Sequence, residues 1–141
     1  MSDPMNAMDR TEAVPVEERW TAWFMLFLRT MAGVSLAKGL YHWAMIIGIG
    51  QGPFSAFETS STAWQAATMY FAVIDLVAAV GLWLAAAWGG VVWLTATISM
   101  AAIELLFPQV YGGRIVVVLV DVAMLVAYFM LAVAAARERP D

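Results

Sequence analysis

Apolar residues fill four long stretches of this chain, and short runs of glycine, proline and polar residues separate them. The stretches cover about 21–48, 63–87, 91–107 and 114–136. Each is long enough for an α-helix to cross a hydrocarbon core of about 30 Å. We therefore predict an all-α integral membrane protein with four transmembrane helices.

The connections between these stretches suggest how the helices are arranged. Residues 88–90 (WGG) and 108–113 (PQVYGG) are predicted to form tight turns, because proline ends a helix and glycine lets the chain reverse. Short connections make consecutive helices antiparallel neighbours, so the expected architecture is an up-down-up-down bundle. The longer connection, 48–62, carries Phe54 and Phe57 among polar residues and is predicted to lie at the headgroup level.

Polar segments flank this bundle, which we expect to form a single domain over residues 20–137. Residues 1–19 are acidic, contain two prolines and lack the apolar core of a signal peptide, which indicates a flexible cytoplasmic tail. Residues 138–141 are expected to form a short C-terminal tail.

The basic residues beside the spans predict the orientation. They are Arg10, Arg19, Arg137 and Arg139 on the side of the termini, and Arg114 on the other side. Because arginine and lysine concentrate on the cytoplasmic side, both termini should face the cytoplasm of a bacterial inner membrane.

Composition supports the membrane assignment and excludes several kinds of chemistry. Apolar residues make up 63% of the chain and the mean hydropathy is +0.79. The net charge of −4 includes no basic patch, so nucleic acid is not an expected partner. The chain has no cysteine, which excludes disulfides and thiolate metal sites. The expected partners are the lipid bilayer and other membrane subunits or further copies of this chain.

Six ionisable residues interrupt the apolar stretches: Arg29, Lys38, His42, Asp75, Glu104 and Asp121. A charge near a bilayer centre costs roughly 2.5 to 3.5 kcal/mol, so each must be paired, hydrated or able to reach the interface. At 100° per residue, each helix carries one polar stripe. The stripes are Ser35, Lys38 and His42 on the first helix, Thr68 and Asp75 on the second, Thr97 and Glu104 on the third, and Arg114, Asp121 and Tyr128 on the fourth. Arg29 lies on the opposite face of the first helix from Lys38.

Depth along the helices, at about 1.5 Å per residue, indicates which charges can meet. Lys38 reaches the heights of Asp121 and Asp75, so an ion pair with one of these two acids is expected. His42 and Glu104 are expected to form a second polar contact nearer the periplasmic face. Arg29 can bury its stem and raise its guanidinium toward the headgroups.

This polar network has three interpretations. It can be a set of ion pairs that fixes helix order, a proton or ion relay, or part of a ligand site for a quinone or lipid headgroup. His42 is the only histidine, so one subunit cannot provide two histidine ligands to a haem. No cofactor, metal site or catalytic residue is predicted.

Small residues recur at positions where helices are expected to touch, either within the bundle or against a partner subunit. They are Gly33 and Ala37, Ala78 and Gly81, Thr95 and Ser99, and Ala123 and Ala127.

Two runs resemble known groups of membrane proteins. LRTMAGVSLAKGLYHWAMIIG resembles the opening helix of DoxX-like proteins, with Arg29, Gly33, Lys38 and Gly39 at the matching positions. TMYFAVIDLVAAVGLWLAAAWGGVVWL resembles an uncharacterised group of four-helix alphaproteobacterial inner-membrane proteins. DoxX-like proteins are associated with quinone-linked oxidoreductase complexes, so this resemblance implies an accessory subunit.

The leading hypothesis is a non-catalytic accessory or assembly subunit of a larger membrane complex, such as a quinone-linked respiratory complex. The alternative is a small oligomeric proton-coupled transporter or conductance. Small multidrug transporters have this size, but their essential carboxylate lies in the first helix, where this chain has Lys38. An enzyme acting on lipids or quinones is a third hypothesis, and it would need a pocket lined by Asp75, Glu104 or Asp121.

Overall fold

The computed structural model describes residues 19–50 and 56–138, and the regular structure in these residues is helical. The long helices are α1 (Arg19–Ile46), α3 (Thr62–Trp83), α4 (Ala87–Leu106) and α6 (Ile115–Arg137), and the one-turn helices are α2 (Ala56–Thr59) and α5 (Pro108–Tyr111). The predicted N-terminal tail up to residue 18, Phe54, and the last three residues of the predicted C-terminal tail lie outside the described residues.

Three helices, α3, α4 and α6, are long and apolar enough to cross a membrane, as a membrane protein requires. The first helix, α1, is 28 residues long but is not among them. Its basic residues explain the difference, because Arg29, Lys38 and His42 lower the hydropathy of the stretch that would have to span.

The long helices pack against one another in chain order. The contacts run from α1 to α3, from α3 to α4 and from α4 to α6, and α6 also packs against α1. A cluster of buried apolar side chains fills the space between α1, α3 and α4. Its members are Leu28, Met31, Ala32, Ala78, Leu82 and Trp93.

The turn between α3 and α4 differs from the prediction. We expected residues 88–90 to form this turn, but α3 ends at Trp83, and Ala85 takes the positive φ of 51° that reverses the chain. Gly89 and Gly90 lie inside α4. They serve packing instead, because a Cβ at Gly89 would overlap the backbone of Gly81 on α3.

The turn between α4 and α6 lies where it was predicted, over residues 108–113, and it contains an additional short helix. Pro108 begins α5 at a position where its missing N–H is not needed. Gly112 and Gly113 then adopt φ of 91° and 60°, a conformation that glycine tolerates best, and α6 follows.

The two ends of the described chain are joined by hydrogen bonds. The Glu138 carboxylate accepts hydrogen bonds from the backbone N–H groups of Trp20 and Thr21 at 3.0 and 2.9 Å, and from the Thr21 hydroxyl at 3.0 Å. Arg19, assigned above to the flexible tail, is the first residue of α1. Glu138, assigned to the C-terminal tail, holds the start of this helix.

The small residues Gly33 and Ala37 do not pack within the bundle, and their contact with a partner subunit stays a prediction. Gly33 and Ala37 are exposed, and a Cβ at Gly33 would meet no atom within 4 Å. The polar stripe instead determines which side of α1 packs, since Ser35 and His42 are buried together with Gly39. A Cβ at Gly39 would lie 2.7 Å from a Leu76 side-chain atom, so this glycine permits the close approach of α3.

Candidate functional site

Asp75 lies at the centre of a buried polar cluster between α1 and α3. Its side chain is only 1% exposed, and Lys38 Nζ lies 3.5 Å from its Oδ1 atom. His42 Nδ1 lies 3.9 Å from Oδ2. The close approach at Gly39 explains this geometry, because Gly39 lies between the two basic residues on α1 and contacts Leu76, the neighbour of Asp75. Of the two acids predicted to pair with Lys38, Asp75 is therefore the one within ion-pair distance.

An aromatic ring fixes the orientation of His42. The imidazole stacks on Phe71, with the ring centroids 5.8 Å apart and the planes 29° from parallel. Phe71 is fully buried and precedes Asp75 by four residues, so the two side chains lie on one face of α3. With the ring held in this way, His42 Nδ1 faces Asp75 Oδ2, and the His42 side chain also lines a neighbouring cavity.

Tyr111 approaches the same region from α5. Its hydroxyl lies 3.3 Å from the hydroxyl of Thr68, which is fully buried on α3. Partial burial, together with the charges of Glu104 and Asp75, raises the pKa of Tyr111, although the Thr68 contact acts in the opposite direction. The phenol therefore remains neutral at physiological pH and can donate a hydrogen bond.

Glu104 is buried and binds the backbone of the next helix. Its Oε2 atom accepts a hydrogen bond of 2.7 Å from the backbone N–H of Arg114, the residue that precedes α6. The predicted contact between Glu104 and His42 is not formed: within the described residues, no hydrogen bond or ion pair joins these two side chains. The reason is local, because the turn after α4 brings the unpaired donor at the start of α6 directly to this carboxylate.

Two cavities adjoin the cluster. The larger, about 420 Å³, opens at the end of the molecule that holds α5, and the smaller is about 230 Å³. Lys38, Met100 and Val117 line both cavities, so the two meet at these side chains. The larger cavity is also lined by Tyr41, His42, Met45, Trp64, Glu104, Tyr111 and Arg114. The smaller is also lined by Met31, Val34, Ser35, Trp93, Thr97, Val120, Asp121 and Met124.

Asp121 lies on the wall of the smaller cavity, half-buried on α6. It shares this cavity with Lys38 and with Thr97, whose hydroxyl donates to the carbonyl of Trp93 in its own helix. Within the described residues, Asp121 Oδ2, Asp75 Oδ2 and His42 Nδ1 are buried without a hydrogen-bond partner. Two of these side chains line the cavities, His42 the larger and Asp121 the smaller, and Asp75 lies beside His42 and Lys38. Because buried polar atoms are nearly always satisfied, this region is the candidate functional site.

Tyr128, placed on the polar stripe of the fourth span, lies outside this cluster. Its ring packs against Phe24, Phe27 and Trp93 with centroid distances of 5.5 to 6.4 Å. Trp93 also lines the smaller cavity. These rings form an aromatic layer between that cavity and the end of the molecule where α1 begins and α6 ends. Arg29 is likewise outside the cluster, with its guanidinium 4.9 Å from the centroid of the Trp83 ring.

A family model matches residues 22–139 of the chain. It is described as a family of unknown function, DUF6163. The chain belongs to the DUF6163 family. No curated protein and no solved structure matches this chain. The DUF6163 match includes the Asp75 cluster, both cavities and the aromatic layer, so the candidate site belongs to the part of the chain that the family model covers.

Sequence reasoning missed several residues of this site. Phe71 could have been found by projecting α3, because it lies on the same face as Thr68 and Asp75. The position of Tyr111 between proline and glycine predicted only that it belongs to a turn. Trp64, which carried no predicted role in the site, lines the larger cavity.

The arrangement suits proton exchange better than metal binding. Among the residues described by the structure, no three His, Cys, Asp or Glu side chains form a group that could hold a metal ion. The cluster instead combines acids and a histidine, which can lose or gain protons, with a lysine that offsets the charge of Asp75.

Proposed function

We propose that this DUF6163 protein is a four-span protein of the bacterial inner membrane, with both termini in the cytoplasm, and that its Asp75 cluster passes protons. Its helices form an up-down-up-down bundle. Several copies act together as a small proton-coupled transporter or conductance. The observation that carries this proposal is the pair of cavities that meet at Lys38: His42 lines the larger cavity, Asp121 lines the smaller, and Lys38 and His42 both lie within 4 Å of Asp75.

Two observations support α1 as the fourth span. At 1.5 Å per residue, its 28 residues measure about 42 Å, more than the hydrocarbon core requires. The hydrogen bonds from Trp20 and Thr21 to Glu138 also keep the start of α1 beside the end of α6. An even number of crossings brings the two ends to one side of the membrane, whereas three crossings would separate them.

The placement of titratable groups along the two cavities favours a relay over a purely structural network. Here the gap between His42 Nδ1 and Asp75 Oδ2 is 3.9 Å, too long for a direct hydrogen bond. Lys38 contacts Asp75 and also lines the cavity of Asp121. Acids, histidine and lysine at staggered depths are the groups that proton-coupled pumps and transporters use.

The aromatic layer gives the proposed route a closed end. Protons enter from the side of Tyr111 and Arg114 through the larger cavity and reach Asp75 and Asp121. The rings of Phe27, Trp93 and Tyr128 then separate Asp121 from the cytoplasmic end. Passage across this layer requires a rearrangement of the rings, which is typical of a gated protein and not of an open pore.

Proton flux in liposomes tests this proposal. The purified protein, reconstituted with a pH-sensitive dye inside the vesicles, should dissipate an imposed pH gradient. Asp75→Asn should abolish the flux because an amide cannot exchange the proton, while protein yield and gel-filtration profile stay normal. Tyr70→Phe is the matched control, since it removes a 3.0 Å contact between hydroxyls of Tyr70 and Ser99 outside the cluster. Wild-type flux no faster than in empty liposomes, or unchanged flux in Asp75→Asn, would refute the proposal.

The accessory or assembly subunit is a second candidate, and the surface of α6 favours it. In this helix only Val118 and Ala135 are buried, whereas α3 and α4 bury seven or more residues each. Its outer face is apolar and includes exposed Ala123, a small residue that lets another helix approach closely. Gentle detergent extraction followed by mass spectrometry tests this candidate. Co-purification in fixed stoichiometry with a respiratory complex supports it, and a homo-oligomer without partners supports the transporter.

A further inference from the structure

An apolar groove runs along the outer surface between α1 and α3, on the opposite side of α1 from Lys38. Its volume is about 260 Å³. The lining residues are Ala32, Gly33, Leu36, Ala79, Val80, Trp83 and Leu84. The groove exists because Gly33 has no side chain, and a Cβ at this position would meet no atom within 4 Å. The proposed proton route does not use this surface.

A positive charge lies at one end of the groove. Arg29 precedes Ala32 and Gly33 by three and four residues, so all three share one stripe of α1. Its guanidinium lies 4.9 Å from the ring centroid of Trp83, the last residue of α3 and part of the groove wall. Within the described residues, no carboxylate is within 4 Å of Arg29. The charge is therefore available to an anion from outside the protein.

The groove is oriented as a bound lipid requires, with one end at the headgroup level and the other toward the bilayer centre. Arg29 of α1 lies beside Trp83, the last residue of α3, and exposed Trp88 follows at the start of α4. Tryptophan at helix ends is typical of the headgroup region, and a long arginine side chain can reach that region from within a helix. From this end the groove extends along α1 to Leu36, seven residues and about 10 Å toward the middle of the helix. An anionic group at Arg29 would thus have an apolar channel leading toward the bilayer centre.

We propose that this groove is a binding site for an anionic phospholipid. The phosphate binds the Arg29 guanidinium, Trp83 packs beside the glycerol region, and the upper part of one acyl chain lies over Gly33 between Ala32 and Ala79. Arginine binds phosphate oxygens through paired N–H donors, and the absence of a nearby carboxylate favours a headgroup with net negative charge over a zwitterionic one.

Native mass spectrometry of the full chain with phosphatidylglycerol or phosphatidylcholine tests the proposal. The wild type should retain phosphatidylglycerol about fivefold more than phosphatidylcholine, the factor expected for one cation near an anionic lipid. Arg29→Gln should reduce this ratio to about one. Gly33→Leu should fill the groove and reduce the retention of both lipids, without disturbing the fold, because the added side chain projects into open space.

Matched variants separate this site from general surface effects. Arg137→Gln removes an exposed cation at the same end of the molecule, and Ala37→Leu adds the same side chain to an exposed position of α1 outside the groove. Both should retain lipid as the wild type does. The proposal is overturned if Arg29→Gln keeps the lipid preference, if Gly33→Leu keeps wild-type retention, or if either control loses lipid to the same extent as its partner variant.

Discussion

Gly81 of α3 and Gly89 of α4 bring the backbones of their helices into direct contact. A Cβ on either residue would overlap backbone atoms of the other. The contact lies next to the turn at Ala85, so it fixes how α4 leaves the end of α3. This position allows no side chain at all, which makes it sensitive to the smallest substitution.

We expect Gly89→Ala to destabilise the protein by about 1–3 kcal/mol, the usual cost of forcing an extra carbon into a packed contact. Thermal unfolding in detergent, followed by circular dichroism, measures the change. Gly33→Ala is the control, because it makes the same substitution in a helix at a position with open space. It should be neutral or stabilising by up to about 1 kcal/mol. Equal effects of the two substitutions would contradict the packing role of Gly89.

This glycine pair shows one limit of prediction from sequence. Hydrophobic length located the four long helices to within a few residues at most ends, because a long apolar run has few other stable structures. A Gly-Gly pair, however, has two uses, to turn the chain or to let helices touch. Gly112 and Gly113 do turn the chain, whereas Gly89 and Gly90 pack inside α4. Only the positions of neighbouring helices distinguish the two cases.

The inward placement of the charged residues was predictable, but their pairing was not. Helical projection put Lys38 and Asp75 on inward faces because both periodicity and the cost of a lipid-exposed charge require it. The choice between Asp75 and Asp121 depended on the distance between helices, which Gly39 sets by its contact with Leu76. The partner of Glu104 depended on the path of a turn, which periodicity does not describe.

The pairing of Lys38 with Asp75 predicts a non-additive double-mutant cycle. Lys38→Met should cost roughly 3–5 kcal/mol, because it leaves the buried Asp75 charge uncompensated. Asp75→Asn should cost less, since the Lys38 side chain is 35% exposed and can move its charge toward solvent. The double variant should then be less destabilised than the sum of the two.

Thermal unfolding of the four proteins in one detergent measures this coupling. The Lys38 and Asp121 cycle is the comparison, since these residues share a cavity wall without an ion pair among the contacts within 4 Å. The coupling energy between Lys38 and Asp121 should be smaller than that between Lys38 and Asp75. Additive effects for Lys38 and Asp75 would show that the 3.5 Å contact contributes nothing to stability.

The hydrogen bond from Arg114 N–H to Glu104 predicts that two substitutions of Glu104 differ in their effect on stability. Glu104→Ala should cost about 0.5–2 kcal/mol, because it removes the acceptor for the Arg114 N–H at the start of α6. Glu104→Gln keeps a carbonyl oxygen in the same place and should retain most of this stability. Chemical unfolding in mixed detergent measures both. Equal losses would mean that the charge of Glu104, and not its hydrogen bond, holds α6.

The contact between Glu138 and the start of α1 predicts a dependence of stability on pH. Burial acts to raise the pKa of Glu138, but the hydrogen bonds from Trp20 N, Thr21 N and the Thr21 hydroxyl outweigh it and lower this pKa below its usual value. The carboxylate also lies at a helix N-terminus, where a negative charge is favourable. Because the folded-state pKa is below the unfolded-state pKa, the stabilisation is complete above the unfolded value of about 4.3 and is lost as the pH falls through the folded value.

Glu138→Gln should therefore melt at a lower temperature than the wild type at pH 7, and the gap should narrow as the pH is lowered toward about 3. The neutral amide imitates the protonated acid, so the two proteins should converge once the wild-type carboxyl is protonated. Arg137→Gln is the control, because arginine does not titrate in this range and its effect should not converge in the same way. A gap between wild type and Glu138→Gln that stays constant from pH 7 to about 3 would contradict the charged contact. In that case a neutral side chain at this position would hold the start of α1 equally well.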